Sequence, residues 1–169
     1  MSRFVVLAFS FLIFVSGVRA EDATGPKIGR GDGWQVIGQT ESDSQCLGDL
    51  STPTCAVETF LACHTRQRSD WCTLVRGWPY DFGPGKAPPR YTLYRIENIL
   101  DLPRAELFGD VHENVPTQDG DLDVVVSIRD CWFDPKDPTA EDCRPPDVLH
   151  YLFREKDARW LVVNSYPEE

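Results

Sequence analysis

Apolar residues recur along this chain with two different periods, helical in the first half and strand-like in the second. Val57, Phe60, Leu61 and position 64 fall at i, i+3, i+4 and i+7, one buried stripe of a helix, with His at the fourth position. Thr52-Pro53 marks its start, since the hydroxyl can cap and Pro at the first helical position loses no hydrogen bond. A second short helix is predicted after Ser69, which can cap it, with Trp71, Leu74 and Val75 on one face and Gly77 and Pro79 ending it.

The run Tyr80 to Arg90 is a loop by composition, and extended structure follows it. Tyr91 to Leu100 is predicted as a strand with mixed faces, because Arg95 and Glu97 fall in line with Leu93 and Ile99, so a bulge or an exposed edge is expected. Leu122, Val124, Val126 and Ile128 alternate with Asp123, Val125, Ser127 and Arg129 in a clear strand with one apolar face. Val148–Arg154 and Trp160–Tyr166 flank the turn 155–158 and complete an antiparallel meander, while Trp34–Gly38 reads as a short strand or edge segment. Residues 103–120 give no clear pattern. Two amphipathic helices before a run of strands make an α+β domain, the helix pair packed on a curved antiparallel sheet.

The chain's opening differs from the rest. Arg3 precedes an apolar run from Phe4 to Val15 broken only by Ser10, then Ser16-Gly17-Val18-Arg19-Ala20, which reads as a secretory signal peptide cleaved after Ala20. Twelve residues of helix span about 18 Å, short of the ~30 Å hydrocarbon core, so an anchor fits less well. The expected organisation is therefore a signal peptide at 1–20, a mobile Gly-rich lead-in and first disulfide loop at 21–51, and one α+β domain at 52–169.

Residues 21–169 carry 15 Lys+Arg against 27 Asp+Glu, a net charge of −12. That charge disfavours nucleic acid and anionic membranes as partners. The six cysteines form an even set in an exported chain, which points to disulfides. Cys55 and Cys63 on one helix would lie ~12 Å apart, beyond the ~7 Å reach of a bridge. The short-range solution pairs Cys46 with Cys55, Cys63 with Cys72, and Cys131 with Cys143, since closing short loops costs least entropy. No Cys-x2-4-Cys pair suggests zinc, and full bridging leaves no free thiolate. The absence of Asn-x-Ser/Thr acceptors favours a bacterial periplasm over a glycosylating secretory route.

The order of elements resembles the nuclear-transport-factor-2-like superfamily with its cystatin-like cone. The likeness rests on the helix pair 53–76, the strand Val124–Trp132 and the closing Arg159-Trp160-Leu161-Val162-Val163, and covers roughly residues 52–166. It implies a curved sheet wrapped on a helix, with a pocket at the open end that relatives use as enzymes, carriers or assembly domains. His64, Tyr94, Tyr151 and Trp160 are the candidate lining residues of such a pocket.

The chemical motifs of common enzymes are missing. Relatives that act as isomerases or dehydratases use an Asp or His base, but Asp123 falls on the face opposite Val124 and no motif maps the roles. Asp119-Gly120-Asp121-Leu122-Asp123, with Asp130 beyond, imitates a calcium loop, yet Val124 stands where that loop needs Gly. His112-Glu113 lacks the second His of a zinc protease, and Arg30-Gly31-Asp32, an adhesion-like tripeptide, lies in the lead-in. No cofactor and no metal are called for. The expectation is an exported, disulfide-stabilised binding or accessory domain for a small apolar ligand or an exported partner protein, more binder than enzyme. The alternatives are an isomerase or hydro-lyase with His64 as base or polariser, and a module dimerising through the outer sheet face.

Overall fold

The computed structural model describes residues 33–83, 87–104, 107–108, 115–133 and 141–168. The expected signal peptide, most of the lead-in with its Arg30-Gly31-Asp32, and His112-Glu113 lie outside the described residues. The described chain is α+β: two helices and a six-stranded antiparallel sheet, with a small separate hairpin. No described helix is long and apolar enough to cross a membrane.

Helix α1 runs Pro53–Thr65 from a capped start, where extended Thr52 accepts a 3.2 Å hydrogen bond from the Cys55 amide. The predicted stripe is buried at Val57, Phe60 and Leu61, but burial extends over every residue from Ala56 to Cys63. The loop before the helix covers the side that periodicity alone assigns to solvent: the Gly48 amide donates to Thr59 Oγ1. Helix α2 spans Ser69–Arg76, so Ser69 is its first helical residue and not its cap. Arg68 stands at the cap but makes no side-chain capping hydrogen bond, its guanidinium being paired with Asp70 in the first turn. Gly77, at φ 75°, ends α2 in the left-handed conformation.

The strands are β1 (Gln35–Gly38), β2 (Tyr91–Asp101), β3 (Leu107–Phe108), β4 (Val115–Pro116), β5 (Leu122–Phe133), β6 (Glu141–Cys143), β7 (Asp147–Lys156) and β8 (Arg159–Pro167). The sheet order is β1-β2-β5-β7-β8, with β6 paired to the end of β5. β1 precedes the helices, so the helix pair is not the first element of the described fold. The bulge expected in β2 falls between Ile96 and Asn98; Glu97 is the extra residue, and faces are exchanged beyond it. Asp157 and Ala158, both at positive φ, form the tight β7–β8 turn. The pattern-less stretch 103–120 contains the β3–β4 hairpin, whose two-residue strands are too short for a periodic signal.

The inner face of β5, Val124, Val126 and Ile128, is buried as its alternation predicts. It joins Tyr94, Tyr151, Phe153 and Val162 from neighbouring strands and Val57, Phe60, Leu61 and Val75 from the helices in one core. Each such side chain contributes about 1.5–3 kcal/mol on burial. A smaller cluster of Val36, Tyr91, Leu93 and Cys131 forms where Trp34 packs against it. All three short-range disulfides form, at Cα separations of 5.4 Å for Cys46–Cys55, 5.2 Å for Cys63–Cys72 and 4.0 Å for Cys131–Cys143. The second ties α1 to α2, and the third ties β6 across to β5. Three disulfides fit an oxidising compartment.

Candidate functional site

Of the four expected pocket residues, Tyr94, Tyr151 and Trp160 pack on the side of the sheet that the helices cover, and His64 stands on α1. Tyr94 and Tyr151 are core residues, and Trp160 packs half-buried against the same cluster. Tyr151 stands edge-on to Phe60 at 5.4 Å, and burial together with Asp130 raises its phenol pKa. Tyr94 is drawn to Glu58, a buried acid of α1, and donates to its Oε1 at 2.7 Å. Burial and that bond raise the Tyr94 phenol in turn. Ser44 donates to Glu58 Oε2, and Cys46 Sγ lies 3.1 Å from the same oxygen. Among the described residues no Lys, Arg or His pairs with Glu58, so hydroxyls alone hold this carboxylate.

His64 leaves the core at the edge of the helix layer. Its ring meets Phe60 at 4.7 Å, Tyr80 at 5.5 Å and Phe82 at 5.6 Å, each edge-on. Desolvation, helped by the positive charge of Arg76, lowers its pKa to about 4, so the imidazole is neutral near pH 7. Its Nδ1 or Nε2 and the sulfurs of Cys63 and Cys72 lie within 4.8 Å of one another, but both sulfurs belong to one disulfide and neither offers a thiolate to a metal.

Arg76 is the centre of this patch. As the last residue of α2 it complements the helix dipole, and its guanidinium carbon lies 5.0 Å from the Phe60 ring, 4.9 Å from Tyr80 and 5.8 Å from Trp78. Gly77 turns the chain back, and the Tyr80 amide donates to Thr73 Oγ1 at 3.1 Å, which holds the aromatic segment over the guanidinium. Arg76 Nε is buried and has no hydrogen-bond acceptor among the described residues. Trp78 beside it is 45% exposed, the patch's opening to solvent.

The outer sheet face carries a second arrangement. Arg154 grips buried Asp121 through Nε at 2.8 Å and Nη2 at 2.7 Å, and also donates to the Pro116 carbonyl of β4. Asp123, on the outer face as expected, meets His150 Nδ1 at 2.8 Å, and Tyr166 stacks on the imidazole at 4.8 Å. Phe108 of β3 is buried edge-on to Tyr166. These pairs fasten the excursion between β2 and β5 to the sheet. A cleft of about 500 Å³ opens at its base, lined by Arg104, Pro116, Thr117, Gln118 and Asp119. The calcium-like acids go separate ways: Asp119 to Arg104, Asp121 to Arg154, Asp123 to His150, and Asp130 to the Thr92 hydroxyl.

Sequence reading did not single out Glu58, Arg76, His150 or Arg154. His150 offered one usable signal, an outward polar position on β7 next to the strand carrying Asp123, but only the register joins them. Comparison of the chain with known protein families, with curated proteins and with solved structures finds no match.

Proposed function

We propose that the protein is an exported, disulfide-stapled binding domain that recognises a carboxylate attached to an apolar or aromatic group, with Arg76 as the anion contact. The observation carrying this reading is the half-buried guanidinium framed by Phe60, Trp78 and Tyr80, whose buried Nε–H lacks an acceptor among the described residues. A buried donor left unpaired costs about 1–3 kcal/mol, and a carboxylate that reaches the guanidinium as the rings framing it shift aside would relieve that cost while its apolar part covers Trp78. The net charge of −10 opposes anions over most of the surface, so a desolvated, ring-framed cation is what would select one. Such a ligand is either a small amphiphilic acid or the terminus of an exported partner protein.

The isomerase or hydro-lyase reading has weaker support. The space between helices and sheet where it would work is occupied by Val57, Phe60, Tyr94 and Tyr151. We keep the cone-like likeness as a description of helices lying across one face of an antiparallel sheet, without the working hollow. The test is a titration of tryptophan fluorescence with 3-phenylpropionate and, separately, 3-phenylpropionamide. Saturable binding of the acid alone, lost in Arg76→Gln, is expected; equal binding of acid and amide, or undiminished binding by the variant, overturns the reading.

A further inference from the structure

Apart from the Arg76 face, the surroundings of Cys46 carry a chemistry of their own. Cys63, Cys72 and Cys131 are 0% exposed and Cys143 is half-buried, so Cys46–Cys55 is the one bridge of the three with both of its cysteines half-buried. Glu58, 5% exposed, places Oε2 3.1 Å from Cys46 Sγ. A disulfide sulfur has no proton, so this contact does nothing for the carboxylate while the bridge is closed. Once the bridge opens, the Cys46 thiol becomes a donor to Glu58, and half-buried Ser44, on the same oxygen, connects it to solvent. Cys55 lies in the first turn of α1, where the free amides favour a thiolate, while the acid beside Cys46 opposes one there.

We propose that Cys46–Cys55 is an exchange-active disulfide, a thiol–disulfide oxidoreductase site in which Cys55 bonds to the substrate sulfur and Glu58 carries the proton of Cys46. In the reducing direction a substrate thiolate attacks Cys55 Sγ. The substrate–Cys55 bond forms as the Cys46–Cys55 bond breaks, and its electron pair goes to Cys46 Sγ, which takes a proton from Glu58 after the acid has drawn one from solvent through Ser44. A second thiolate of the same substrate then attacks its own mixed-disulfide sulfur and releases Cys55. The substrate dithiol is oxidised to a disulfide and the protein disulfide is reduced to the Cys46 thiol and the Cys55 thiolate. A small-molecule disulfide such as oxidised glutathione restores the bridge by the same steps in reverse: Cys55 attacks it, and Cys46 then displaces the adduct while Glu58 accepts the Cys46 proton.

The test uses the full exported chain. It is first equilibrated in glutathione buffers of decreasing potential, alkylated and mapped by mass spectrometry. Cys46 and Cys55 are expected to become labelled before any other pair. The reduced pair, with the other bridges intact, is then mixed with oxidised glutathione, and adducts are trapped with time. The wild type is expected to close quickly through an adduct on Cys55. Glu58→Gln is expected to accumulate that adduct and close about a hundredfold more slowly or worse, the lower range of general-base assistance. Prior opening of Cys63–Cys72 or Cys131–Cys143, an adduct formed mainly on Cys46, or equal closure rates in the two proteins would each overturn the proposal. The order of opening is read on the wild type and stands even where the variant fails to fold.

Discussion

Replacing Arg154 with Met removes both arms of the grip on Asp121 and the bond to the Pro116 carbonyl. Asp121 is 1% exposed and keeps only the Gln118 amide, 2.8 Å from Oδ2. The variant therefore leaves a carboxylate buried without a counter-charge, a loss of about 3 kcal/mol. Asp121→Asn keeps most of the shape and loses the charge, costing about 2 kcal/mol through the arginine it strands. The double variant removes both charges, and its cost should fall below the sum of the single ones by about 1–2 kcal/mol. Urea unfolding with disulfides intact measures all three. With a slope of about 1–3 kcal/mol per M, the Arg154→Met midpoint drops by roughly 1–3 M. A drop below about 0.3 M, or strict additivity in the double variant, would refute the claim that this ion pair fastens the β3–β4 excursion to the sheet.

Other consequences are as direct. His64 has a folded pKa of about 4 against an ordinary 6.5, so folding favours its neutral form; the stability it confers is complete above pH 6.5 and lost as pH falls toward 4, by up to about 3 kcal/mol. Urea midpoints between pH 7 and 4 should show this slope, and His64→Phe should flatten it. Gly77→Ala forces a side chain into φ 75° and sets its Cβ 3.1 Å from Leu161 Cδ1, a cost of about 1–2 kcal/mol in thermal or urea unfolding. Thr52→Ala removes the acceptor of the Cys55 amide at the start of α1 and should cost about 1 kcal/mol in the same assay.

The parts of the fold that the sequence exposes are those where local chemistry and tertiary environment agree. Thr52-Pro53 starts a helix for reasons contained in those residues, and β5 alternates because one of its faces meets the helices. The cysteine pairs were readable because each closes a short loop. Glu58 was hidden because its burial comes from the loop at 42–48 and from Tyr94, thirty-six positions along the chain, and helix periodicity carries no trace of either. Ser69 misled because a good capping residue stood one position inside the helix, with Arg68 drawn to Asp70. The acid and base rows of the outer face, Asp121 and Asp123 against Arg154 and His150, depend on the register of β5 against β7. Nothing in the sequence marks Arg76; its surroundings come from Phe60 on α1 and from Trp78 and Tyr80 beyond the turn at Gly77.

The account's central claim is that the working surface lies at Arg76 and that no hollow between helices and sheet serves that role. The most direct measurement is heteronuclear NMR of the labelled protein, following arginine Nε–H and aromatic and methyl side-chain resonances as 3-phenylpropionate is added. The account predicts that the largest shifts fall on Arg76 Nε–H, Trp78 and Tyr80, with Val126, Phe153 and Tyr94 unmoved. Dominant shifts at Val126, Phe153 or Tyr94 would place the ligand beneath the helices and contradict it.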